Sequence, residues 1–224
     1  MLTIYLKHKL IEVFSKNVES YDEWYNTPLG VHVREVESKA LQYLLPVKGR
    51  GIDIGGGTGV FTNVLGKGAW TICLDPVYLM LKKALRRNVD VVCGVIEQAP
   101  FRSHSFDYAF MITVLEFLKE PLKALIAVRK LLRENGVFVI MFINKESSWG
   151  KMYIKMAENG DPILSLARFY TISEVEDLLN QAGFKIVEKI GILDYPPTLP
   201  PKSSPRICKR EIEYCGAVFI KSVT

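Results

Sequence analysis

The sequence predicts a doubly wound α/β domain, and three observations predict it. Short apolar runs alternate with helix-period segments along the whole chain, the pattern of βαβ units around a parallel sheet. One run, GVFVIMFI, is apolar throughout rather than on alternate residues, as in a parallel strand covered on both faces. The first run also leads straight into a turn holding four glycines within five residues, Gly55 to Gly59. That turn falls where open α/β sheets bind their ligands.

Taken in order, the N-terminal LTIYLKHKLIEVF sets Leu6, Leu10, Val13 and Phe14 on one helical face. Lys7, His8, Lys9 and Glu12 interrupt it and no small-residue cleavage site follows, so it reads as a helix, not a signal peptide. The first clear helix is expected from Glu35 to Leu45, with Val36, Ala40, Leu41 and Leu44 on one face and Pro46 as its stop. GRGIDIG is the first strand, followed by the glycine turn and a short helix from Val60. TICLD is the second strand, followed by a helix over Val77 to Arg87; DVVCGVI is the third strand and FDYAFMI the fourth. Pro121 opens a helix carrying Leu122, Leu125, Val128 and Leu132, which Asn135 and Gly136 are expected to cap. GVFVIMFI is the fifth strand. Ser173 and Glu176 form an expected capping box for a helix ending at Gly183, and KIVEKIGIL and AVFIKSV are the last two strands.

With 224 residues, 49% hydrophobic and 24% charged, the chain suits one domain over 1–224. The longest apolar run, Val137 to Ile143, is about a third of the ~20 residues a bilayer span needs, so no membrane insertion is expected, and a cytoplasmic location is. Cys73 and Cys93 lie in apolar runs as expected core residues; Cys208 and Cys215 are spaced too far apart for a metal-ligand pair, and no metal is expected. The net charge of +5 raises a nucleic-acid partner, but the basic residues are scattered, densest at Lys82, Lys83, Arg86 and Arg87 and over Lys202 to Arg210, and the first cluster suits a solvated helix face and C-terminal turn. Nucleic acid is the lesser expectation.

Parallel strands end at one edge of their sheet, so the loops after strands one to four should converge on one crevice. Two long stretches read as irregular, Asn144 to Tyr170 and Asp194 to Cys215, follow strands five and six and are the expected acceptor-side walls.

The glycine turn lets the backbone reach positive φ and approach a ligand closely, and a helix N-terminus beyond it would offer free N–H groups. A dinucleotide fingerprint wants Gly or Ala where this chain has Val60. Asp75, about 20 residues after Gly55, suits ribose hydroxyls but serves nicotinamide and S-adenosylmethionine (SAM) alike. Asp53 separates the two: a carboxylate just before the glycines disfavours a pyrophosphate and suits the ammonium of SAM.

On these residues the chain resembles the class I SAM-dependent methyltransferases, in the broad group of the type 11 and quinone-biosynthesis C-methyltransferases. Asp53, Gly55, Gly57 and Gly59 match the group's acid-x-Gly-x-Gly-x-Gly signature, and Asp75 its acid after the second strand. Glu97, Pro100, Phe101, Phe106 and Asp107 match a further block. SYDEWYNTPLG resembles its N-terminal lid, placed at 1–34, and FYTISEVEDLLNQAGF its late helix. The resemblance implies a Rossmann-like seven-stranded, mostly parallel sheet with an antiparallel last strand, SAM as methyl donor and S-adenosylhomocysteine as product. Two departures stand out: Val95 replaces the usual acid near adenine, and Phe117 replaces a frequent histidine in Leu115-Glu116-Phe117.

Accordingly, Asp53, Gly55, Gly56, Gly57 and Gly59 are expected to hold the methionine portion and Asp75 the ribose. Pro76, Val77, Ile96 and Glu97 are expected around the adenine side, Thr113 near the sulfonium, and Tyr21, Trp24 and Tyr25 over the cofactor, since aromatic faces favour cations. Displacement at an activated carbon needs positioning more than a nucleophilic side chain; Glu116 and His104 are the weak candidates for a base, and His8 and His32 read as surface or packing residues. The expected acceptor is a small molecule. An RNA or protein methyltransferase, a nicotinamide oxidoreductase and a SAM-binding module without catalysis are the alternatives.

Overall fold

The computed structural model describes residues 2–66, 68–201 and 206–224, with the side chains of residues 2–7 outside the description. The Leu6 side chain and Lys202 to Pro205 therefore lie outside the described residues. Seven strands form one sheet in the order β3-β2-β1-β4-β5-β7-β6: β1 (Gly49–Ile54), β2 (Ala69–Asp75), β3 (Asp90–Cys93), β4 (Phe106–Ile112), β5 (Leu132–Ile143), β6 (Lys185–Ile192) and β7 (Ala217–Val223). The first five pair in parallel. Only β7 runs against its neighbours, Val137 facing Val223 on one side and Lys185 facing it on the other. The expected sheet is the observed one.

The helices are α1 (Leu2–Lys16), α2 (Val18–Trp24), α3 (Pro28–Leu44), α4 (Tyr78–Arg86), α5 (Pro121–Leu131), α6 (Ser148–Glu158) and α7 (Ile172–Gln181). Strand alternation sorts the core into two layers. Ile52, Ile54, Leu74, Met111 and Phe138 pack with Leu125, Val128, Val175 and Leu179 of α5 and α7. On the other face Tyr108, Phe110, Val139 and Phe219 pack with Val33, Val36, Ala40, Leu41 and Leu44 of α3, while Cys73 packs with Leu81 and Ala84 of α4.

Several local expectations are corrected. Helix α3 begins seven residues before Glu35, because Thr27 accepts from the Gly30 amide and Pro28 opens the first turn. No helix starts at Val60: Thr58 to Leu65 is a run of turns, closed by Val64 donating to Phe61 and Gly66 to Asn63. Val60, Thr62, Asn63 and Val64 are poor helix formers, and Gly59 enters at φ 75°. Asn135 and Gly136 do not cap α5, which ends at Leu131. They lie inside β5, where the register jumps from Phe106–Leu132 to Tyr108–Val137, and Asn135 absorbs the irregularity at φ 58°. The capping box of α7 is Thr171 with Glu174, not Ser173 with Glu176. The third strand stops at Cys93, and Cys93 is exposed, so it is not a core thiol. Asn144 to Tyr170 is not irregular; it contains α6, capped by Ser147 accepting from Gly150.

Leu41 is fully enclosed between α3 and the sheet. Leu41→Ala is expected to lower unfolding free energy by about 2–5 kcal/mol, read from the denaturant midpoint; a loss under about 0.5 kcal/mol would show that α3 is not part of the core.

Candidate active site

Strand order reverses between β1 and β4, and there the carboxyl ends of β1, β2 and β4 meet the N-terminal helices. A narrow cavity at this point is lined by Asp53, Gly55, Gly56, Thr58 and Val60 of the glycine loop, by Phe61 and Ile112, and by Tyr21 and Tyr25 of the lid segment.

The loop is shaped by what it must avoid. Gly55 donates to the Leu74 carbonyl at 2.7 Å, drawing the backbone across the end of β2. A Cβ on Gly56 would fall 2.6 Å from Asp53 Oδ2 and 2.7 Å from Cys73 Sγ, so only glycine leaves the Asp53 carboxylate in place. Gly59, at φ 75°, would press its Cβ 2.9 Å from that of Ala84 on α4. The glycines answer specific close approaches.

Asp53 is 2% exposed and accepts from Thr62 Oγ1 at 2.7 Å. Burial pushes its carboxyl up to about 7, with Thr62 working against the rise and Asp75 adding to it. Asp75 accepts from the Val77 amide at 2.7 Å and the Gly57 amide at 2.9 Å. Burial pushes it up to about 6 against those two bonds. Two carboxylates thus stand in one poorly solvated site with no cation bonded to either among the described residues. Such a site favours a ligand carrying a positive charge and hydroxyl donors. The open space at Gly57 and this pair of carboxyls fit SAM.

Val77 and Ile96 are buried beside these carboxylates' strands, Pro76 is half-buried, and Glu97 is exposed on the 3-10 turn after β3. Thr113 closes β4 at φ 48°, its amide donating to Met141 and its hydroxyl to the Ile112 carbonyl. Tyr21 and Tyr25 meet edge to face at 5.7 Å, and Tyr25 meets Phe61 at 5.9 Å. Trp24 does not line the cavity; it packs on Tyr25 at 5.0 Å and its carbonyl accepts from Thr27.

The structure separates the two weak base candidates. His104 precedes β4, at the opposite edge of the sheet, bonded to the Leu132 carbonyl. Glu116 lies at the crevice edge, 2% exposed, with Oε1 accepting from the Ile143 amide and Oε2 unpartnered; burial raises it to about 7. The α4 cations are not simply a solvated face. Lys83 pairs with Glu19, and Arg87 bridges Asp22 of α2 at 2.8 Å and the Thr58 carbonyl at 2.9 Å, joining lid to glycine loop. The stretches 144–170 and 194–215, expected as acceptor-side walls, are joined by Trp149 Nε1 donating to the Tyr195 carbonyl and by Asn144 donating to that of Glu213.

One residue escaped the sequence reading. Glu37 sits on α3 within the stripe Val33, Val36, Ala40, Leu41, is 5% exposed, and has an unpartnered Oε2. The signal was a carboxylate on an otherwise apolar face. Among the described residues no group of three or more His, Cys, Asp or Glu is arranged to hold a metal ion, and no helix is long and apolar enough to cross a membrane.

Comparison with known proteins agrees with this geometry. A family model described as a methyltransferase domain matches residues 30–189. An uncharacterised protein of Mycobacterium tuberculosis is 35% identical over 185 residues, covering 82% of this chain; the chain spans 64% of that relative's length. An uncharacterised protein of Methanocaldococcus jannaschii is 33% identical over 178 residues, covering 80% of this chain and 83% of its own. Among solved structures, a SAM-dependent methyltransferase of Thermotoga maritima, described as a possible histamine N-methyltransferase, superposes with a TM-score of 0.83 at 29% identity, covering 96% of this chain and 99% of its own. A buried acid ahead of a glycine bend, a second acid at the next strand and these kinships make one conclusion: the chain belongs to the methyltransferase-domain family.

Proposed function

We propose that the protein transfers the methyl group of SAM to a small organic molecule. The observation that carries this reading is the pair of buried carboxylates at the glycine loop, Asp53 packed against Gly56 and Asp75 accepting from the Gly57 amide. Asp53 and the glycine loop hold the amino-acid end, Asp75 the ribose hydroxyls, and Val77 with Ile96 the adenine. Thr113 borders the reacting centre, and Tyr21 and Tyr25 shield it from water. SAM supplies an electrophilic methyl carbon on sulfur, so the chain's own work is to bind, orient and exclude water. The description of the Thermotoga neighbour supports a small organic acceptor. The pairing of Lys83 and Arg87 with lid acids leaves less free basic surface for RNA.

SAM or S-adenosylhomocysteine at a hundredfold excess over Kd is expected to stabilise the protein by about 2.7 kcal/mol, roughly 5–10 °C in Tm. Asp75→Ala is expected to abolish most of that shift. Stabilisation by NADH in place of SAM would reverse the assignment.

The buried acids also set a pH dependence. Asp53, Asp75, Glu116 and Glu37 stand at about 7, 6, 7 and 8 when folded, above the ordinary ~4 of an unfolded carboxyl. The folded state therefore holds protons that the unfolded chain gives up, and this contribution is full below pH ~4 and is lost as pH rises through ~6–8. Tm of the ligand-free protein is expected to fall from pH 5 to pH 8, less steeply in Asp53→Asn; a Tm that climbs over this range would contradict the buried carboxylates.

A further inference from the structure

We propose that Glu37 forms the anionic floor of an acceptor subsite for a primary ammonium group, with Tyr25 and Tyr153 beside it. This rests on the methyltransferase reading above and narrows its acceptor to an amine. The carboxyl is 5% exposed, set in the apolar stripe of α3, and its Oε2 has no hydrogen-bond partner. A fold gains nothing from a buried carboxyl left in this condition, since a buried acceptor without a donor loses its hydration uncompensated.

Its neighbours say which side of the site it serves. Glu37 acts electrostatically on the phenols of Tyr21 and Tyr25 from the lid and of Tyr153 from α6. Tyr21 also feels Asp53 and Asp75, whereas Tyr153 feels Glu37 without them. Tyr21, Tyr25 and Tyr153 pack in one cluster with Val33 and Val36 of α3, the helix that carries Glu37, and Tyr21 and Tyr25 also line the cavity. No lysine, arginine or histidine is among the groups that shift it; burial alone pushes it up to about 8. A buried carboxyl with no cation among the groups that shift it, on a helix face packed with tyrosines, matches a cationic nitrogen.

The chemistry balances. The ammonium gives one proton to the Glu37 carboxylate, which frees the nitrogen lone pair. That pair forms the N–C bond to the methyl carbon as the C–S bond breaks, and the bonding electrons stay on sulfur. The methylated nitrogen carries the positive charge, and the proton on Glu37 passes to water.

Calorimetric titration of 2-phenylethylamine into the full chain loaded with S-adenosylhomocysteine tests this, at pH 7 in two buffers of different ionisation enthalpy. Glu37 holds its proton before binding and surrenders it to pair with the ammonium, so release of about one proton is expected. 2-Phenylethanol, the neutral counterpart, is expected to bind about tenfold or more weakly. Glu37→Gln is expected to weaken the amine about tenfold, to release no proton, and to leave alcohol and S-adenosylhomocysteine affinities unchanged. Tyr153→Phe, which keeps the ring face, is expected to retain amine binding. Equal binding of amine and alcohol, no amine binding, wild-type amine affinity in Glu37→Gln, or a parallel loss of S-adenosylhomocysteine in that variant each overturns the subsite. Failure of the wild type to bind S-adenosylhomocysteine is a separate result that sinks the methyltransferase reading with it.

Discussion

The site depends on one constraint: a carboxylate at the end of the central strand is kept out of water by a loop that has no room for a side chain. Asp53 lies under Gly56 and against Cys73, with Thr62 as its bonded partner. Burying an acid without a counter-charge disfavours its ionised form, so the bend and the acid are each justified only by the ligand that joins them. A side chain at Gly56 would displace Asp53 Oδ2 or Cys73 Sγ, and the sheet edge would lose its shape along with its electrostatics.

The N-terminal helices belong to this arrangement rather than decorating it. Arg87, at the end of α4, holds Asp22 of α2 and the Thr58 carbonyl of the glycine loop together. Phe14 of α1 meets Phe117 after β4 at 5.2 Å, and Tyr25 meets Phe61. Partly exposed charge pairs contribute little individually, so these helices are held mainly by aromatic packing, with the ion pairs setting their register.

What was legible in the sequence followed from period and from glycine. Strands β4 and β7 are mostly apolar, and their observed bounds coincide with FDYAFMI and AVFIKSV. Asp53, Asp75 and the glycine loop were readable because their spacing is local. Signals that depend on tertiary contact were not. Val60 onward looked like a helix start because a strand and glycines preceded it, yet a positive φ at Gly59 and β-branched residues gave turns. Asn135-Gly136 has the chemistry of a helix cap and of a bulge alike, and pairing with β4 decided between them. Arg87 looked like a solvent cation because its partners Asp22 and Thr58 are distant in sequence. Glu37 was overlooked since a single acid on a helix is ordinary until its face is known to be inward.

The reversed direction of β7 has a consequence for the span that precedes it. Because β6 runs with the parallel strands and β7 against them, the chain leaves and re-enters the sheet at the same rim, with residues 193–216 strung between. Doubling the length of a flexible connection costs only about 0.6 kcal/mol in closure entropy. A change of length within that span leaves the pairing of β7 with β5 and β6 in place, so that rim can be rebuilt without re-threading the sheet.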